Sequence, residues 1–265
     1  VSSRRAVPAG VPSLRCQHLT KRFGGVTAVD DVSLSLPQTG LYGLCGPNGA
    51  GKSTLFNLLA GADQADKGRV ELIGVDMTGV GATTRARAGV TRTWQGVRLL
   101  EDRSVLDNVA VGYAEHIGQS MVSAIFRGSL RTAREKARAA LDDLDLGHLV
   151  GRQVGTLTLE NQRMVELARA VVTEPFVILA DEPASGLSRG QRLALADFLT
   201  ELAKTRAMLV VEHDIDMLER ISTRLYAMID GRLAFEGDIT GFLVSTVRSS
   251  LRGTSDQLAR TRDEP

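Results

Sequence analysis

The chain has 265 residues, 43% hydrophobic and 24% charged, a balance that excludes overall disorder and leaves room for one large core or two lobes. Lys and Arg number 32 against 31 for Asp and Glu, a net charge of +1, which gives no reason to expect a nucleic-acid partner held by bulk electrostatics. Two cysteines, Cys16 and Cys45, are too few for a disulfide framework or a zinc site and read as buried free thiols.

In chain order, residues 1–12, VSSRRAVPAGVP, are rich in Ser, Arg, Pro and Gly and read as a flexible tail or linker without the apolar stretch of a signal peptide. No later apolar run approaches the roughly 18 residues needed to span a bilayer. VDDVSLSL at 29–36 alternates as a half-buried strand does, LYGLC at 41–45 is a short apolar strand, and STLFNLLA at 53–60 carries a helical apolar face. From about Val105 to Val150 the pattern is helical, through VLDNVAVGYAEHI and SLRTAREKARAALDDL, and it interrupts the strand–helix alternation without adding strands. LTLENQRMVELAR at 157–169 reads as a helix start followed by an amphipathic run, with Thr158 a fair N-cap. FVILA at 176–180 and AMLVV at 207–211 have the length and composition of strands covered on both faces. The pattern is α/β. A domain over 13–241 is expected, with a helical lobe at about 97–155 inserted in its core and a polar tail over 242–265.

Two motifs carry chemistry. GPNGAGKST at 46–54 matches G-x-x-x-x-G-K-[ST] in full. Gly46, Gly49 and Gly51 let backbone N–H groups turn toward one concavity, and the helix opening at Lys52 adds its partial positive end, so the loop Gly46, Pro47, Asn48, Gly49, Ala50, Gly51 suits a polyphosphate. Lys52 can reach the β- and γ-phosphates and the Ser53 hydroxyl is placed for Mg²⁺, with Thr54 completing the motif. FVILADEP at 176–183 delivers Asp181 and Glu182 at the carboxyl end of a buried strand, the edge where ligands collect in parallel sheets. Asp181 suits the Mg²⁺ shell, and Glu182 suits the task of orienting or deprotonating the attacking water.

With these motifs in place the chain resembles the ATP-binding cassette family from about Leu14 to Gly241. The resemblance implies a P-loop NTPase core, RecA-like and mainly parallel with an antiparallel β edge, and ATP and Mg²⁺ as ligands. It also implies roles for Phe23 in KRFGGVTAV, stacking on adenine; for Gln95 in TRTWQGVRLL, approaching Mg²⁺ and water; and for His213 in LVVEHDID, contacting the γ-phosphate. His18, His116 and His148 have no such context. FGGVTAVDDVSL, STLFNLLAG, GVTRTWQGVRLLEDRSVLDNVAVG and DEPASGLS are similar to the ATPase subunits of branched-chain amino acid uptake systems.

That likeness implies an ATPase subunit at the cytoplasmic face of the cell membrane, peripheral, driving permease subunits together with a solute-binding protein, and paired head to tail with a second cassette chain across which Thr158 meets nucleotide. The family's L-S-G-G-Q stands here as Leu157, Thr158, Leu159, Glu160 and Asn161, and Ser188 stands where many relatives have Asp or Asn. Thr158 keeps a hydroxyl, but both glycines are gone. Three functional readings follow: an importer's ATPase, a module that closes on ATP with little hydrolysis, or the ATPase of an exporter.

Overall fold

The computed structural model describes residues 8–93, 99–116, 129–245 and 247. β1 (Leu14–Phe23), β2 (Val26–Leu36), β4 (Lys67–Leu72) and β5 (Val75–Asp76) form an antiparallel sheet in the order β2-β1-β4-β5. The second sheet runs β10-β9-β3-β8-β7-β6, from β3 (Gly40–Cys45), β6 (Val90–Arg92), β7 (Val177–Asp181), β8 (Ala207–Val211), β9 (Arg224–Ile229) and β10 (Arg232–Gly237). Its ladders are parallel except β9–β10, which is antiparallel. The α/β class, the mainly parallel core and the antiparallel edge expected from sequence are all present.

The apolar runs read as doubly covered strands are fully buried, and their pleat explains how two cores form. Val177 and Leu179 point into a core with Leu44, Leu209, the Leu55, Phe56, Leu58 and Leu59 side chains of α1 (Lys52–Ala60), and Leu14 and Leu34 of the antiparallel sheet. Ile178 and Ala180 point the other way, against Leu195 and Leu199 of α6 (Arg189–Ala203) and Leu218 of α7 (Ile215–Ile221). Cys16 and Cys45 are buried and free, as expected.

The helical lobe has its own core. Val105 and Val109 of α3 (Val105–His116), Ala133, Ala137 and Leu141 of α4 (Ser129–Asp143), and Val165 and Ala168 of α5 (Leu159–Val171) pack together. Its two chain ends clasp each other, because the Val105 N–H donates to the Arg152 carbonyl at 2.9 Å and the Val154 N–H to the Arg103 carbonyl at 3.1 Å. Helix α5 also sends Leu167 and Val171 into the second sheet core, so it joins lobe to core. Short helices α2 (Ala82–Ala88) and α8 (Ile239–Leu243) and two 3-10 turns, Gly147–Leu149 and Val154–Thr156, complete the described elements. Among the described residues no helix is long and apolar enough to cross a membrane.

Candidate nucleotide site

Strands β3, β7 and β8 are neighbours and parallel, so their carboxyl ends open onto one edge of the sheet. The loop at 46–54 follows β3, Asp181 ends β7, and His213 comes two residues after β8. Three chain-distant segments from the sequence therefore meet at one rim, where parallel sheets collect ligands.

Gly46 and Gly51 shape the loop. Gly46 has φ 151° and Gly51 φ 93°, and a Cβ at Gly51 would lie 2.1 Å from the Ala28 carbonyl oxygen, so no side chain fits there. Gly49 is left-handed too, but nothing stands within 4 Å of where its Cβ would be, which leaves that side of the loop open. Lys52, 6% exposed, folds back so that Nζ donates to the Gly46 carbonyl at 2.7 Å and the Pro47 carbonyl at 2.9 Å. Burial pulls its pKa below the usual lysine value, against the opposing charges of Glu182, Cys45 and Asp181. The ammonium is thus held at the loop by two carbonyls that a phosphate oxygen can replace. Ser53 and Asn48 are exposed on the same segment.

Glu182 and His213 are brought into direct contact, with His213 Nε2 2.9 Å from Glu182 Oε1. Glu182 sits in the left-handed backbone region at φ 46°, which costs an L-residue roughly 1–2 kcal/mol and has to be imposed by its surroundings. Asp181 is buried, and its Oδ2 accepts from Arg92 Nη2 at 2.8 Å. Arg92 also donates to Asn57 of α1 and lies over the Phe56 ring. A buried carboxylate of this kind is sustainable only when so paired. Hard oxygen donors, the Asp181 carboxylate and the exposed Ser53 hydroxyl, suit Mg²⁺, which takes one or two protein oxygens and completes its shell with phosphates and water.

Other expected residues stand apart. Phe23 ends β1 in the antiparallel sheet, 50% exposed, with Lys21 Nζ 5.4 Å from its ring centroid. An exposed aromatic is available for stacking. Gln95 lies outside the described residues. Thr158 caps α5, its hydroxyl accepting from the Asn161 N–H at 3.4 Å, with Glu160 in the first turn and Leu159 exposed beside it. Ser188 caps α6 in a reciprocal box, the Ser188 N–H donating to Gln191 Oε1 at 3.0 Å, so a serine suffices there.

Sequence reasoning passed over Arg92 and Glu212. Arg92 ends a strand whose neighbour ends in Asp181, and Glu212 follows an apolar run directly, so a carboxyl-edge rule applied to every strand could have found both. Glu212 is 5% exposed, and its Oε1 accepts the Ala184 N–H at 2.7 Å. Burial, opposed by that N–H and reinforced by the charge of Glu182, pushes its pKa up to about 7.

Comparison with known proteins places this chain in a family. The profile of the ABC transporter family matches residues 29–185. The chain is 34% identical over 233 residues to the high-affinity branched-chain amino acid transport ATP-binding protein BraF of Pseudomonas aeruginosa, covering 85% of this chain and 91% of that protein. It is 36% identical over 231 residues to LivG of Salmonella typhimurium, which bears the same description, covering 83% and 89%. Among solved structures, the ADP conformation of an ATP-binding cassette of an ABC transporter superposes with a TM-score of 0.80 at 31% identity, covering 91% of this chain and 98% of that one.

Proposed function

Since the chain belongs to the ABC transporter family and is an ATPase of that type, we propose that it is the ATP-hydrolysing subunit of an importer for branched-chain amino acids or a related small polar solute. In this reading it sits peripherally at the cytoplasmic face of the membrane, pairs head to tail with a second cassette, and passes the work of closure to permease subunits fed by a solute-binding protein. The observation that carries the reading is the meeting of Lys52, Asp181, Glu182 and His213 at one sheet edge, with His213 Nε2 2.9 Å from Glu182 Oε1.

ATP binding replaces the two carbonyl partners of Lys52 with β- and γ-phosphate oxygens, while the N–H groups of 46–54 and the start of α1 supply fixed donors. Ser53 and Asp181, with Gln95, would hold Mg²⁺, which offsets charge on the phosphates when bound. Glu182 accepts a proton from the attacking water, whose oxygen forms the new bond to the γ-phosphorus as the bond to the bridging oxygen of ADP breaks. His213, leaving or sharing its contact with Glu182, donates to the γ-phosphate. Phe23 stacks on adenine, and Thr158 meets the nucleotide of the paired chain.

The opening of α5 bears on that pairing. Glu160 is comfortable in a first helical turn, where a carboxylate gains roughly 0.3–1 kcal/mol. Facing a triphosphate it is repelled, by roughly 4 kcal/mol for two unit charges about 4 Å apart at an effective dielectric of 20. This favours, as a second reading, a module that closes on ATP with little hydrolysis. Glu160→Gly is therefore expected to strengthen ATP-dependent association of chains; an unchanged association constant by ultracentrifugation means that the side chain points away from the interface.

The import reading is tested by uptake of radiolabelled leucine, isoleucine and valine into cells of the source organism with this chain deleted. Uptake should fall and be restored by the parent chain but not by Lys52→Ala. Undiminished uptake in the deletion strain rules the solute class out.

A further inference from the structure

The contact between Glu182 and His213 joins two loops that must keep their spacing while nucleotide enters, and the fold has a specific means of holding them. The turn after β7 begins at Glu182, in its left-handed conformation, and closes with the Ser185 N–H donating to the Glu182 carbonyl at 3.1 Å. Within it, the Glu182 N–H donates to the Val211 carbonyl at 3.0 Å, which continues the ladder to β8. Pro183 has no N–H to give. The next donor, the Ala184 N–H, crosses to the Glu212 carboxylate at 2.7 Å. Glu212 immediately precedes His213 in the chain, and its own N–H donates to the Leu44 carbonyl at 3.4 Å. One buried side chain thus ties the backbone on the far side of Glu182 to the backbone that carries the histidine.

We infer that Glu212 is a positioning residue for hydrolysis: its buried carboxylate clamps the turn of Glu182–Ser185 against the segment of His213, fixing the general base and the γ-phosphate contact at a working separation. The inference rests on the reading of Glu182 as base. The charges that act on Glu212 are those of Glu182 and Asp214, the latter paired to Arg192 at 3.1 Å, while the His213 ring lies on Glu182. A carboxylate among carboxylates is a costly choice if filling space were the whole task, since an apolar side chain would pack there without desolvation. What an apolar side chain cannot do is accept the Ala184 N–H, and an unaccepted buried donor frees the turn to move.

The test compares steady-state MgATP hydrolysis, ATP affinity by calorimetry and thermal unfolding for the full-length parent, Glu212→Gln, Glu212→Leu and Glu212→Ala. Glutamine keeps an acceptor oxygen in the same place and should rescue most of the turnover that leucine and alanine lose. Misplacing a catalytic group by about 1 Å costs about 10²-fold, and a fall in kcat of that order is expected for Glu212→Leu and Glu212→Ala. ATP affinity should stay at the parental value, because the donors of 46–54 are untouched. Parental kcat in a folded Glu212→Leu or Glu212→Ala variant overturns the inference, as does a glutamine variant as impaired as the alanine one, or a matching loss of ATP affinity. A parent chain that hydrolyses normally while all the Glu212 variants match it leaves Glu182 as base intact; a parent without turnover removes that reading and the inference together.

Discussion

Glu182→Gln is expected to bind ATP with parental affinity and to lose about 10²–10⁴-fold in turnover, the range that general-base catalysis contributes. Glutamine matches glutamate in size and in its tolerance of the left-handed backbone at this position, so the turn over 182–185 and its hydrogen bonds to Val211 and Glu212 have no reason to change. What changes is basicity: an amide cannot take the proton of the attacking water. Calorimetry and phosphate release on the same preparation check both halves of the expectation. Turnover at the parental rate in this variant sinks the role of Glu182 as base, whatever its position in the site.

Lys52→Ala should weaken MgATP binding roughly 10–100-fold, since hydrogen bonds to charged groups contribute about 1.5–3 kcal/mol each and every 1.4 kcal/mol is tenfold in affinity. The structure makes this a test of chemistry rather than of folding. Lys52 Nζ touches the Gly46 and Pro47 carbonyls, both within the loop itself, while Gly51 against the Ala28 carbonyl and Gly46 against the Met228 carbonyl fix the loop's course. Thermal unfolding close to the parent with affinity lost is the expected outcome. Unchanged affinity by calorimetry contradicts the assignment of 46–54 as the phosphate loop.

The parts of the molecule most readable from sequence were those whose physics is local. The loop at 46–54 needs consecutive small residues and a lysine at fixed spacing, and β7 and β8 need unbroken apolar runs because both of their faces are covered. Thr158 as a cap is likewise a one-turn signal. The antiparallel edge was implied by the family resemblance, and of its strands the alternation showed the one at 29–36, within β2, while β1 and β4 stayed hidden. In β1 the pairing slips between Cys16 and Leu19, and His18 is left-handed at φ 53°, so Leu14 and Cys16 alternate and Leu19 and Thr20 then break the period. In β4 only Val70 and Leu72 are buried among KGRVEL, too few to show alternation.

Arg92 and Glu212 escaped for a different reason. Their roles depend on partners distant in sequence, Asp181 and Asn57 for the arginine and Ala184 for the glutamate, and a single charged residue after an apolar run looks like a strand end reaching solvent. The sheet order β3-β8-β7-β6 converts them into buried links behind the site. Family resemblance implied that His213 contacts the γ-phosphate; its contact with Glu182 and the strained backbone beneath that contact come from the fold alone.

The most direct measurement is phosphate release from MgATP by the purified chain over a range of chain concentrations, with Glu182→Gln as the blank. Expected is a rate per chain that climbs with concentration, as two half-sites complete each other through Thr158, and that vanishes in the blank. No release from the parent at any concentration, or equal release from the blank, contradicts the assignment of Lys52, Asp181, Glu182 and His213 as a working ATPase site.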